Sequence, residues 1–96
     1  EATMLQFSLA TAKNGKTIIK IHHDFGAFNF YLVPDPNNTA SFGWASDPLI
    51  KDKKIGDKIA IQAVKSIAQF TRNDPNNLSF SDMVNALRSA AETPAE

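Results

Sequence analysis

Leu5-Gln6-Phe7-Ser8-Leu9-Ala10-Thr11-Ala12-Lys13-Asn14-Gly15-Lys16-Thr17-Ile18-Ile19-Lys20-Ile21 is the stretch on which the fold turns. Leu5, Phe7 and Leu9 alternate with Gln6, Ser8 and Ala10, the period of a strand with one buried side. A β-branched run, Thr17 to Ile21, comes after Asn14-Gly15, and Asn-Gly between two such runs marks a hairpin. The turn also sets the register. A two-residue turn would put Leu9 opposite Lys20 and Phe7 opposite His22, with charge on the apolar side. A three-residue loop of Lys13, Asn14 and Gly15, with Gly15 left-handed as a bulge, instead pairs Leu9 with Ile19 and Phe7 with Ile21. A one-residue slip moves every side chain to the other face, so hydrophobic matching selects the bulged loop.

Working outward, His22-His23-Asp24 leads into a second turn at Gly26, and Phe28 to Val33 reads as a third strand. Pro34-Asp35-Pro36-Asn37-Asn38 is expected to break it, because prolines remove donors and Asn favours turns. Ser41 to Ser46, with Phe42 and Trp44 on one face, is the fourth strand. The period then changes. Asp47-Pro48 has the composition of a helix start, and Gly56 interrupts the helical pattern before it is established. From Asp57 onward Ile59, Ala60, Ala63, Val64, Ile67, Ala68 and Phe70 trace an apolar stripe at helical spacing. Ser79 caps a last helix, with Asp82 at the capping-box position and Leu78 stapled onto Met83. Its inward residues are Phe80, Met83, Val84 and Leu87. The repeated Asp-Pro-Asn-Asn, at 35–38 and 74–77, reads as two similar turns.

The predicted fold is therefore α+β: a four-stranded antiparallel sheet in the order ββββαα, with both helices on one face. One domain spans residues 1–89, and 90–96 is a fraying tail. Hydrophobic residues make up 43% of the 96-residue chain and charged residues 21%, which suits a folded globular domain. Ten basic and ten acidic residues cancel. That balance argues against a grip on duplex DNA or an anionic membrane, either of which calls for a basic excess. The absence of cysteine excludes disulfides and thiol chemistry. No apolar run approaches the ~20 residues of a membrane span. A soluble domain is expected, with the cytoplasm slightly favoured. Glu1 in first place fits either a removed leader or an excised segment.

Three functions are weighed. A sheet covered on one side leaves Met4, Gln6, Ser8, Ile18, Lys20, His22 and Tyr31 on an open face, and open antiparallel faces bind partners. The leading expectation is a non-enzymatic protein-interaction module that contacts another protein, or a second copy as a homodimer, through Ile18, Lys20, His22 and Tyr31. The alternative is a single-stranded nucleic-acid binder that stacks bases on Phe28, Phe30, Tyr31 and Trp44, with Lys51, Lys53 and Lys54 supplying charge. The aromatic segment lacks the basic residue and the element order of RNA-recognition domains. The third is a small enzyme acting through His22 or His23. Neighbouring strand residues point to opposite faces, so those two histidines do not share one ion. No cofactor and no metal are expected. The segment Thr71 to Asp82 offers Thr, Pro and Asn at the first, fifth and sixth positions of a calcium loop, where Asp, an acidic or amide ligand and Gly are needed.

Overall fold

Four strands precede two helices in a computed structural model that describes residues 5–92, the side chains at 39, 40, 91 and 92 excepted. The strands are β1 (Gln6–Thr11), β2 (Thr17–His22), β3 (Asn29–Asp35) and β4 (Asn38–Asp47); the helices are α1 (Lys53–Thr71) and α2 (Phe80–Glu92). The sheet is antiparallel throughout, in the order β1-β2-β3-β4. This is the ββββαα architecture that the change of period predicts. No described helix is long and apolar enough to cross a membrane.

The β1–β2 hairpin has the bulged register. Leu9 lies across from Ile19 and Phe7 from Ile21. Gly15 takes φ +84°, its N–H donates to the Ala12 carbonyl at 2.9 Å, and the Ala12 N–H donates to the Lys16 carbonyl at 2.8 Å. The Asn14 side chain accepts from the Lys16 N–H at 2.9 Å, which closes the loop. A Cβ built on Gly15 would meet nothing within 4 Å, so backbone conformation alone demands glycine here. Gly15→Val is expected to cost about 1–2 kcal/mol, since a β-branched residue resists positive φ. Urea unfolding monitored by circular dichroism checks it. A variant as stable as the parent would show that the loop has another low-energy form.

Two expectations about proline are corrected. Pro34 does not end β3, which continues through Asp35 and pairs with β4. The ladder to β2 covers Phe30 to Leu32 only, so Pro34 sits beyond it, and the register shifts at Pro34/Asp35. Likewise Asp47-Pro48 is not a helix start. Asp47 still pairs with Asn29 as the last residue of β4, and the Asp47–Pro48 bond is cis. The helix begins at Lys53 instead, where the Asp52 side chain accepts the Lys54 N–H at 3.0 Å. Its far end closes on Arg72 in the left-handed region (φ 60°), with the Asn73 N–H donating to the Ala68 carbonyl at 3.0 Å.

A 3-10 turn, Pro75–Asn77, then leads to α2. Leu78 leaves the helical region (φ −102°, ψ 113°), so Ser79 is free to cap. The capping box forms both ways: Asp82 N–H to Ser79 Oγ at 3.1 Å, and Ser79 N–H to Asp82 Oδ2 at 3.2 Å. α2 runs through Glu92, into the segment expected to fray; residues 93–96 lie outside the described residues.

The core lies between the sheet and the helices. Ile19, Ile21, Phe30 and Leu32 from the strands meet Ile59, Ala63, Ile67 and Ala68 of α1 and Phe80, Met83 and Val84 of α2. One residue of the predicted stripe departs from it. Phe70 is 61% exposed, although it shares the azimuth of buried Ile59 to within about 20°. Its place in the last turn of α1, not its face, leaves it uncovered.

Trp44 ties the layers together. It stacks on Phe30 with centroids 5.4 Å apart, and its Nε1–H donates to Asp57 Oδ1 of α1 at 2.9 Å. Buried Gly56 lies against the indole: a Cβ there would come within 2.0 Å of Trp44 Cζ2. Gly56 is thus not an interruption of the helix. It is the point at which α1 approaches the sheet.

Candidate functional site

Strand parity sends Phe7, Leu9, Ile19, Ile21, Phe30 and Leu32 toward the helices, so their neighbours face the other way. Ile18, Lys20, His22 and Tyr31 all lie on that open face. Across its middle the Cα register runs Ser8, Lys20, Tyr31, Ala45. To one side lie the pairs Ala10–Ile18 and Val33–Gly43. To the other lie Gln6–His22 and Asn29–Asp47. Ile18, Tyr31 and Val33 are half-buried, yet none belongs to the hydrophobic cluster under the helices. A Cβ on Gly43 would meet nothing within 4 Å, which leaves a flat shelf over β4. The face is apolar and nearly flat at one end and polar at the other, with the Lys20 ammonium between. Met4, expected on this face, lies outside the described residues.

The two histidines take different partners. Exposed His22 holds Ser8 Oγ at 2.8 Å through Nε2. His23 turns to the helix side, where its ring centroid is 4.5 Å from that of Phe28 and 5.4 Å from that of Phe25. Its Nδ1 accepts the Phe25 N–H at 3.1 Å. A cavity of about 160 Å³ lies beside them, lined by Lys20, Ile21, His22, His23, Phe28 and Asn29. Ser8–His22 has the spacing of a nucleophile and its base. Among the described residues, no hydrogen bond orients the other His22 nitrogen, and no three His, Cys, Asp or Glu side chains converge on a metal position. As it stands, the pair is a polar cross-strand contact on a solvated surface.

The residues expected to stack on and attract nucleic acid are scattered. Phe30 has no exposed surface, and Trp44 is held between Phe30 and Asp57. Phe28 leans on the core and on Phe30, with centroids 6.4 Å apart. Only Tyr31 of the four aromatics is on the open face. Lys51, Lys53 and Lys54 are exposed around the start of α1, in the other layer. The expected stacking platform is therefore not assembled, because strand parity sends Phe30 and Trp44 to the side that the helices bury and Phe28, just before β3, packs against the same core.

Two further surfaces stand outside this face. A groove of about 390 Å³ between α2 and the β3–β4 turn is lined by Lys16, Asp35, Phe80, Ser81, Asn85 and Arg88. On α1, Ile55, Ile61 and Phe70 are at least half exposed. Ile61 stands about 120° from Ile55 and about 180° from Phe70 around the axis, and Ile55 and Phe70, about 60° apart, are about 22 Å apart along it, which makes them single apolar residues and not a patch. Reading the sequence missed Val33 on the open face and the Ser8–His22 and Trp44–Asp57 bonds. The strand-period signal for Val33 was present; the two bonds join residues 14 and 13 positions apart and need the register or the packing to be known. Compared with protein-family models, curated proteins and solved structures, this chain matches none.

Proposed function

We propose that this protein is a non-enzymatic interaction domain that takes another protein on the open face of its sheet. The observation that carries the reading is the group Ile18, Tyr31 and Val33, half-buried on a face that no second layer covers among the described residues. These side chains add nothing to the core beneath the helices. The partner that fits is a flat protein surface that is apolar at one end and carries a carboxylate near its centre to meet Lys20. The nucleic-acid reading is weaker because Phe30 has no surface to offer a base.

The test is a paired capture from the native source with the parent chain and with Ile18→Lys/Tyr31→Glu. Glutamate is chosen at 31 because Tyr31 lies across from Lys20, so an opposite charge there preserves the sheet. The variant should melt like the parent. A protein retained by the parent, with or without nuclease, should bind the variant about thirtyfold more weakly, which is about 2 kcal/mol. Equal retention by both chains defeats the proposal. So does an unfolded variant, which would mean that Ile18 and Tyr31 serve the core.

A further inference from the structure

We infer that β1 is a self-pairing edge: two copies of this chain join their β1 strands antiparallel about a two-fold axis at Ser8, forming one eight-stranded sheet. The rim of the sheet is a separate surface from its open face, and the pairing does not rest on the open-face reading. β1 has β2 on one side and, among the described residues, no strand on the other. The Ala12 N–H points to Lys16. The alternation of an antiparallel ladder then turns the backbone N–H and C=O of Phe7, Leu9 and Thr11 outward, to the free side.

Natural sheets blunt such an edge with lysine, proline, a bulge or an inward charge. Gln6–Thr11 has none of these: no charged residue, no proline, no glycine, and six unbroken pairs with β2. The opposite edge is treated differently. β4 carries Gly43 in its middle, ends at Asp47, and faces the register shift at Pro34/Asp35.

The occupant is a second copy because the strand complements itself. Turned about Ser8, Phe7 faces Leu9 of the second copy, Gln6 faces its Ala10, and Leu5 faces its Thr11. Phe7 and Leu9 are half-buried at the margin of the core, so each would be covered by the other on the helix side. The strand is uncharged and the chain has a net charge of zero, so no like-charge repulsion opposes the pairing.

The cysteine-free chain makes the test direct, since Ser8→Cys and Lys20→Cys each introduce a single thiol. At the axis the two residue-8 Cα atoms would be about 4.5 Å apart, within the span of a disulfide. Under mild oxidation, Ser8→Cys should form a covalent dimer at least about tenfold faster than Lys20→Cys. The parent should sediment at twice the mass of one chain. Gln6→Lys/Ala10→Lys, which sets lysines opposite lysines across the new seam, should sediment as a single chain with its circular dichroism unchanged. Ile18→Lys/Tyr31→Glu should remain paired. A parent chain that sediments singly at about 100 μM overturns the inference, as does equal crosslinking of the two cysteine variants. Pairing lost in the Ile18/Tyr31 variant but kept in Gln6→Lys/Ala10→Lys would place the contact on the open face and overturn it too.

Discussion

Phe30→Ala should lower stability by about 3–5 kcal/mol, the usual cost of emptying a fully buried aromatic position. Phe30 has no exposed surface, stacks on Trp44 at 5.4 Å, and meets Phe28 edge-on at 6.4 Å. It is also the strand residue paired with Ile21 on one side and Ser46 on the other. Its removal leaves a hole at the centre of the sheet and deprives both Trp44 and Phe28 of a ring contact. Small domains hold about 5–15 kcal/mol in total, so the variant should be largely unfolded in mild urea. Equilibrium unfolding followed by Trp44 fluorescence measures the loss. A cost under about 1 kcal/mol would mean that Trp44 and Phe28 close over the gap, and the stacked arrangement would not be structural.

Gly56→Ala is the second large effect, and its sign is the point of interest. On propensity alone, alanine in place of glycine inside a helix gains about 1 kcal/mol. Gly56 is buried, however, and its added methyl would meet Trp44 Cζ2 at 2.0 Å and Cε2 at 2.3 Å, separations that atoms cannot hold. The indole cannot yield cheaply, being stacked on Phe30 and hydrogen-bonded to Asp57. Moving it sacrifices both contacts and displaces α1. Overpacking of this kind costs about 3 kcal/mol, so a net loss of roughly 2 kcal/mol remains. The double variant with Trp44→Phe, a smaller ring, should recover part of it. If Gly56→Ala proves more stable than the parent, helix propensity has won and the close approach to Trp44 is wrong.

The two glycines with a structural duty act through different physics. Gly15 stands in empty space and is required by its positive φ; Gly56 has neighbours on top of it and is required by its missing Cβ. Only the first kind is visible from local sequence, because an Asn-Gly turn between strands specifies its own backbone. The second depends on a residue on another element, twelve positions away.

The same division runs through the candidate site. Once Leu9 is paired with Ile19, parity places Ile18, Lys20, His22 and Tyr31 on one face, and the structure has them there. Phe28, Phe30 and Trp44 look like base-stacking residues when read as composition, but parity sends Phe30 and Trp44 to the buried side and Phe28 packs against the same core. Pro34 misled for a related reason. A proline reports which donor is missing but not whether a neighbouring strand needed that donor. Beyond Leu32 the ladder to β2 has ended, so β3 runs on.

Local stereochemistry and periodicity alone therefore determined the element types, the hairpin register, the Ser79 capping box and the choice of inward face. Each of these is a property of residues within one or two turns of one another. Tertiary structure decided the length of β3 and β4, the true start of α1 at Lys53, the exposure of Phe70 and the seat of Trp44 on Gly56. Each of these depends on where one layer ends against another. That is a non-local matter of distance and volume, and no local pattern in the chain encodes it.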